Sequence, residues 1–251
     1  MKILLSGALG HMGRVLLKQI QEDPDRFSLA GGLDIREDPS FPAPLYTKAD
    51  EADAPFDVLI DFSVPAAAME ALALCLRQKK PCVIATTGLN GEQADTVKQA
   101  AECIPVFYTG NMSLGVNLQM ALIKKAASVL GDSFDMEIVE THHNLKKDAP
   151  SGTALMLLKA LQEGSDADRE PVFGRHGTDC KRRQNEIGIH SLRGGTIVGE
   201  HTVRFLGTDE EICISHKAYS KAVFAKGALR AAEFINTRNA GLYDMNDLLN
   251  T

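Results

Sequence analysis

The segment Lys2-Ile3-Leu4-Leu5-Ser6-Gly7-Ala8-Leu9-Gly10-His11-Met12-Gly13 sets an apolar run of strand length directly against a GxxGxxG string. Lys2–Ser6 reads as a buried strand, and Met12–Glu22 as a helix with Val15, Leu16 and Ile20 on one face. The glycines between them answer a need for bare backbone. They permit a tight turn, let a pyrophosphate approach, and let helix and strand pack closely. The helix start then offers unpaired N–H groups to phosphate. Three glycines alone are a weak signature, because a glycine-rich turn needs no ligand. Here the string follows the first strand and precedes a helix. Asp34 lies 21 residues past Gly13, at the end of a second predicted strand, Leu29–Asp34. An acid at that place accepts hydrogen bonds from an adenosine ribose, so the combination points to a dinucleotide.

Working outward, the next hundred residues alternate short apolar runs with amphipathic stretches. Asp57–Phe62, Cys82–Thr86 and Ile104–Tyr108 read as strands, with helices at Ala66–Gln78 and Gly91–Ala101 between them. Helical crossovers of this length imply parallel pairing. A Pro-rich segment up to about Pro55 has no clear pattern. The turns Asp61-Phe62-Ser63 and Thr86-Thr87-Gly88 fall at carboxyl ends of predicted strands, where ligands bind in open α/β sheets. Ordinary helix capping by Ser and Thr explains them as well.

After Asn111 the character changes. Val116–Leu130 and Thr153–Gln162 read as helices, Phe134–Thr141 as a strand with one buried face, and Gly164 to about Glu186 as a polar surface loop. Ile187–Arg193, Thr196–Leu206 and Glu211–Lys217 read as strands joined by Gly194-Gly195 and Gly207-Thr208-Asp209, which predicts a largely antiparallel sheet. Ala222–Ile235 returns to helix. The fold class expected is α/β: an N-terminal Rossmann domain plus an α+β domain with a mixed, largely antiparallel sheet.

Composition narrows the function. A formal charge of −6 and the absence of Trp argue against a nucleic-acid surface, which needs a basic patch and stacking aromatics. Five scattered cysteines with no CxxC pair argue against a disulfide framework or structural zinc. His176 and Cys180 lack identifiable partner ligands, so no metal is expected. The N-terminal apolar run is too short for a signal peptide, and no stretch approaches the roughly 18 to 20 apolar residues that span a bilayer. A cytoplasmic protein without membrane partners is expected.

Six of the seven histidines fall between His142 and His216. The densest stretch is Glu140-Thr141-His142-His143-Asn144-Leu145-Lys146-Lys147-Asp148-Ala149-Pro150-Ser151-Gly152-Thr153, between a predicted strand and a predicted helix. A local cationic loop in an acidic protein suits a small anion better than a polymer. Ser151 can cap the helix; with the first-turn N–H groups and Thr153 it can equally surround a carboxylate. A plain cap accounts for Ser151 but not for the cationic loop before it. His142 and Lys146 are the candidates for chemistry. Hydride addition to an imine-like carbon leaves charge that a nearby acid must neutralise, and these side chains can supply protons near neutral pH.

These residues together resemble the dihydrodipicolinate reductase family. The resemblance covers nearly the whole chain: Gly7–Arg14, Asp61-Phe62-Ser63, Thr86-Thr87-Gly88, Gly110–Asn117, Glu140–Ala154, Gly195–Thr202, Ser215–Ala218 and Gly241–Met245. The segment His142-His143-x-x-Lys146-x-Asp148-Ala149-Pro150-Ser151-Gly152-Thr153 is its most specific part. The resemblance implies reduction of 4-hydroxy-tetrahydrodipicolinate, a cyclic dicarboxylate, by NADH or NADPH in a homotetramer of the diaminopimelate–lysine pathway. It implies His142 as proton donor or acceptor, Lys146 as proton donor, and His143, Ser151, Gly152 and Thr153 as substrate contacts. Cofactor contacts would come from Gly7, Ala8, Leu9, Gly10, His11, Met12, Asp34, Phe62, Thr86, Thr87, Gly88, Tyr108, Gly110, Asn111 and Met112. Residues 1–112 and 221–251 would form the dinucleotide-binding domain, and residues 113–220 the substrate-binding and oligomerisation domain.

Three positions depart from the family pattern. His11 stands where Arg or Lys is common, and Ile35 where some members have Arg, with Arg36 beside it. With Asp34 favouring a free ribose hydroxyl, NADH is favoured. Lys221 stands where Arg is frequent, and lysine cannot make a bidentate fork to a carboxylate. Two other readings stand against this one. A different small Rossmann reductase would need another anion pocket than the His142–Thr153 block, and an NADH-sensing regulator would carry a basic DNA-binding helix that is not found here.

Overall fold

The computed structural model describes residues 1–251, which divide into two compact units. One comprises Met1–Leu114 and Lys221–Thr251; the other is Gly115–Ser220. The first unit begins with β1 (Lys2–Ser6), α1 (His11–Glu22) and β2 (Ser28–Leu33). It continues through β3 (Leu45–Tyr46), β4 (Val58–Asp61), α2 (Pro65–Gln78), β5 (Cys82–Ile84), α3 (Gly91–Ala101) and β6 (Pro105–Tyr108). Ile3, Leu4 and Leu5, like Val58, Leu59 and Ile60, are buried on both faces of the sheet. That is why these strands read as unbroken apolar runs instead of alternating ones.

The second unit contains α4 (Leu114–Leu130), β7 (Asp135–His142), α5 (Gly152–Gly164), β8 (Glu170–Phe173), β9 (Glu186–Arg193), β10 (Gly199–Leu206) and β11 (Glu211–Ala218). Its sheet runs β11-β10-β7-β9-β8. β10 is antiparallel to both β11 and β7, whereas β9 is parallel to both β7 and β8. The sheet is therefore mixed, with more parallel pairing than its glycine turns suggest. Gly194 and Gly195 do not close a hairpin between neighbours, because β7 lies between β9 and β10. β7 takes the middle because its Met136 and Ile138 anchor the core with Leu157, Leu161, Ile189, Val203 and Phe205.

The chain then returns to the first unit with α6 (Ala222–Ile235), β12 (Gly241–Tyr243) and α7 (Met245–Leu249). The seven-stranded sheet runs β12-β6-β5-β4-β1-β2-β3, every pair parallel. This is the doubly wound order, with its reversal between β1 and β4. α6 supplies Ala225, Ala228, Leu229, Ala232 and Ile235 to the core built on Ile3, Leu5 and Ile60.

Several short elements differ from the sequence expectation. The unpatterned stretch before Pro55 holds β3, a two-residue strand beside β2. The stretch read as a surface loop holds β8, an edge strand with no buried residue and so no apolar period to reveal it. β12 and α7 span three and five residues, below the length at which periodicity can speak.

Candidate active site

In the first unit the glycine string forms a cradle at the carboxyl end of β1. Gly7 has a left-handed φ of 73°, and a Cβ there would lie 2.5 Å from the Phe62 carbonyl oxygen. A Cβ on Gly13 would lie 2.2 Å from the Gly7 carbonyl oxygen, so close helix–strand packing demands the third glycine. The N–H groups of Gly7 and Ala8 donate to the Leu33 carbonyl at 2.9 and 3.1 Å. Gly10 caps α1 in extended geometry, with no side-chain cap and no acid in the first turn. The first helical N–H groups are thus left for an external anion, which fits a pyrophosphate.

Asp34 follows β2 and stands beside this cradle. Its Oδ2 accepts the Leu9 N–H at 2.9 Å, while Oδ1 accepts the Arg36 N–H and Nε, each at 3.2 Å. Gly7, Gly10, Asp34 and Phe62 line one cleft of about 320 Å³, with Leu33, Ile35, Arg36, Val64 and Ala67. Largely apolar walls, with the Asp34 and Glu70 carboxylates and the Arg36 guanidinium at hand for hydroxyl groups, suit a ribose and its base. None of the other predicted contacts lines this cleft: Ala8, Leu9 and Met112 have buried side chains, Met12 is half-buried against the core and His11 is exposed. Thr87 and Gly88, both exposed, extend beyond β5, and Gly88 has a φ of 79°. Tyr108 ends β6, followed by exposed Gly110 and buried Asn111.

Capping does not explain Ser63 and Thr86. Val64 precedes α2, which starts on Pro65, and α3 is capped by Asn90. Both hydroxyls are turned to the buried Asp61. Thr86 Oγ1 donates to it at 2.5 Å and Ser6 Oγ at 2.7 Å, with the Ser63 hydroxyl as a third donor. Burial pushes the Asp61 carboxyl above its usual range, and the three hydroxyls pull against that shift.

In the second unit the site grows from the alternation of β7. Met136, Ile138, Glu140 and His142 share its buried face. The register sets Glu140 opposite His201 of β10 and opposite Ser191 of β9, with Arg193 opposite His142. Both Arg193 terminal nitrogens donate to the Glu140 carboxylate at 2.8 Å, and Arg193 also donates to the Asp148 carbonyl at 2.6 Å. Glu140 further accepts the Ser151 N–H at 3.1 Å, and its Oε2 lies 2.5 Å from His142 Nδ1. Burial alone would raise the Glu140 pKa. Arg193, assisted by Ser191, His142 and the Ser151 N–H, overcomes that and holds it at about 2.

His142 is pushed below its ordinary value chiefly by burial, which Glu140 opposes. Burial and the neighbouring His142 lower His201 further, to about 4. The two rings meet edge to face at 5.1 Å. Ser151 caps α5 by accepting the Ala154 N–H at 3.2 Å, and its hydroxyl also meets His201 Nε2 at 2.9 Å. Lys146 pairs with Asp148 at 2.8 Å, His143 keeps a buried Nδ1 with no hydrogen bond, and Gly152 has open space where a side chain would stand. Lys147 is exposed. The structure thus joins His142 and Ser151 in one buried network, with exposed Gly152 next to Ser151 in the chain. It adds Glu140, Arg193, His201 and Gly199, to which the sequence reading gave no role. A charged residue on the buried face of an alternating strand was the available signal for Glu140.

Glu140, His142 and His201 bring potential metal-ligating atoms within 4.8 Å of one another. The carboxylate, however, is engaged at both oxygens by a guanidinium, and His201 Nε2 is turned to Ser151. A divalent cation there would face the Arg193 charge, so the arrangement suits proton transfer instead.

A family profile described as dihydrodipicolinate reductase, N-terminus, matches residues 1–112, and one described as dihydrodipicolinate reductase, C-terminus, matches residues 115–249. The 4-hydroxy-tetrahydrodipicolinate reductase of Caldanaerobacter subterraneus subsp. tengcongensis is 47% identical over 250 residues, covering 99% of this chain and 98% of that protein. That of Alkaliphilus oremlandii is 42% identical over 250 residues, covering 100% and 99%. Among solved structures, the dipicolinate-bound dihydrodipicolinate reductase of Paenisporosarcina sp. TG-14 superposes with a TM-score of 0.81 at 25% identity, covering 98% of both chains.

Proposed function

The chain belongs to the dihydrodipicolinate reductase family, and on that premise we propose how its own residues carry the reaction. The reaction is the NAD(P)H-dependent reduction of 4-hydroxy-tetrahydrodipicolinate to tetrahydrodipicolinate in diaminopimelate and lysine biosynthesis. A bound reduced nicotinamide supplies the hydride. The first unit holds the dinucleotide, with the uncapped start of α1 on the pyrophosphate and Asp34 on the ribose. Residues 1–112 with 221–251 are its domain, and residues 113–220 bind substrate and form the oligomer, a homotetramer in the cytoplasm. No helix is long and apolar enough to cross a membrane.

The observation that carries the assignment of chemistry is His142, buried against an ionised Glu140 at the head of a cationic loop. The 4-hydroxyl leaves as water to give a conjugated ring imine; addition of hydride to that ring leaves negative charge, which Lys146 neutralises by giving up a proton. His142 gives or takes a proton at the same centre. The first-turn N–H groups at Gly152 and Thr153, with His143 and Ser151, orient a substrate carboxylate. The buried, unbonded Nδ1 of His143 supports that role, since a buried polar nitrogen seeks a partner.

Replacing His142 or Lys146 with Ala should lower turnover by about 10²- to 10⁴-fold while NADH affinity stays within a factor of about two. A coupled assay with the synthase that makes the substrate, following nicotinamide absorbance, reads this. Wild-type turnover in both variants would remove the assignment. NADH should also bind more tightly than NADPH, because Asp34 opposes a 2′-phosphate. Calorimetric titration with a strong NADPH preference would reverse that reading.

A further inference from the structure

We propose that Glu140 is a positioning residue that dedicates Nε2 of His142 to proton transfer, with Gly199 keeping that nitrogen clear. The proposal rests on the acid–base role of His142 given above and adds which ring atom acts and what selects it.

Glu140 has no solvent exposure, yet it is fully partnered. Two guanidinium nitrogens of Arg193, one backbone N–H and one imidazole nitrogen converge on its two oxygens. A carboxylate so placed is an anion and accepts hydrogen bonds without donating any. The nitrogen it faces across 2.5 Å, Nδ1 of His142, must therefore carry the hydrogen. In a neutral imidazole this leaves the lone pair on Nε2.

The surroundings of Nε2 complete the device. No protein group hydrogen-bonds it. A Cβ on Gly199 would stand 3.0 Å from it, tighter than an ordinary contact, so glycine at the start of β10 leaves that approach free. The facing ring, His201, meets His142 edge to face and turns its own Nε2 to Ser151. Arg193 has a second effect: by holding the carboxylate it keeps Glu140 from taking the Nδ1 proton away. Glu140 also connects the acid–base residue to the substrate loop, because its other oxygen anchors the Ser151 N–H.

The titration of His142 agrees in sign. Burial disfavours the imidazolium, and Glu140 restores part of its stability. Removing the negative charge must lower the His142 pKa further, which moves the acid limb of the kcat/KM profile to lower pH.

The first test needs no substitution. In the full-length protein carrying ¹⁵N-labelled histidine, imidazole chemical shifts should show His142 as the Nδ1–H tautomer at neutral pH; an Nε2–H tautomer would overturn the proposal. Glu140→Gln should lower kcat at least about 10-fold, with NADH affinity unchanged and the acid limb shifted downward. Glu140→Asp should recover part of the rate. Combined with His142→Ala, Glu140→Gln should add no further loss, since it acts through the imidazole. Wild-type rate and pH profile in Glu140→Gln, beside an inactive His142→Ala, defeat this inference alone. An active His142→Ala defeats the acid–base reading itself. Should Glu140→Gln fail to fold with Arg193 left unpaired, the wild-type tautomer and Gly199→Ala decide. Gly199→Ala keeps the ion pair and should still lose at least about 10-fold in kcat; unchanged kcat would overturn the role of Gly199.

Discussion

The N-termini of α1 and α5 are built from opposite materials. α1 begins at a glycine with no side-chain cap, and its orphan N–H groups have no partner of their own. α5 begins at Ser151, whose hydroxyl caps the helix, whose N–H anchors Glu140, and whose oxygen also meets His201. On the function proposed above, the difference teaches how one principle of anion recognition would serve two kinds of ligand. A pyrophosphate brings enough charge to satisfy bare backbone, so side chains there would only obstruct it. A carboxylate on a reacting ring must also be oriented toward proton donors, so its helix start is tied into a network of titratable groups.

Acid should break the comparison most strongly. His201 is held at about 4 in the folded protein against an ordinary 6.5, and Glu140 at about 2 against 4.5. Both folded values lie below the unfolded ones, so both stabilise at neutral pH. That stability is lost as pH falls, from 6.5 toward 4 for His201 and from 4.5 toward 2 for Glu140. Between pH 7 and 4 the loss comes chiefly from His201, on the order of 3 kcal/mol, and Glu140 adds to it only toward the acid end. Asp61 in the first unit has the opposite sign: its raised pKa means that protonation relieves a burial cost. Hydrogen exchange resolved by peptide should therefore show residues 115–220 opening first as pH falls from 7 to 4. Equal loss in both units would contradict the network described for α5.

Gly13→Ala comes next. Its methyl group would sit 2.2 Å from a backbone oxygen that cannot yield, so about 3 kcal/mol of destabilisation and loss of NADH binding are expected. Thermal unfolding and calorimetry check both. Ser151→Ala removes a cap and leaves His201 Nε2 buried without a partner, at about 2 kcal/mol, with a raised KM and unchanged NADH affinity. The smallest effect is the most pointed. Gly10→Ser gives α1 the cap it lacks; the extended backbone at Gly10 suits one, although the new Cβ would stand 3.1 Å from the Gly7 carbonyl oxygen, which must give slightly. The variant should change little in stability, cap and crowding opposing each other, and bind NADH about 10-fold more weakly, because the new hydroxyl takes an N–H that the phosphate needs. Tighter NADH binding would show that α1 does not hold the pyrophosphate.

The doubly wound unit was legible because its signals are local. β1 matches its reading from Lys2 to Ser6, and α3 and α6 match theirs, since burial on both faces or a 3.6-residue period marks such elements within one window. Of the cleft beside the glycine string, Gly7, Gly10 and Asp34 were legible from position, whereas Phe62 entered as a contact only with the family resemblance. The partners of His142 were not. Glu140 and Arg193 are 53 residues apart, and only the parallel register of β7 with β9 brings them together. Asp61 was seen as part of a turn, but nothing in that tripeptide shows that hydroxyls from Ser6 and Thr86 converge on it. β8 and β3 were missed because an exposed or two-residue edge strand carries no apolar period.

The return of α6 and β12 to the first sheet has a consequence for biosynthesis of the chain. A ribosome releases β1 through β6 early, yet the alanine-rich helix that seals Ile3, Leu5 and Ile60 emerges only after the entire intervening unit. Until then an apolar face of the nascent sheet lies open to water and to chaperones. The nucleotide half, first to be translated, is therefore the last to finish folding.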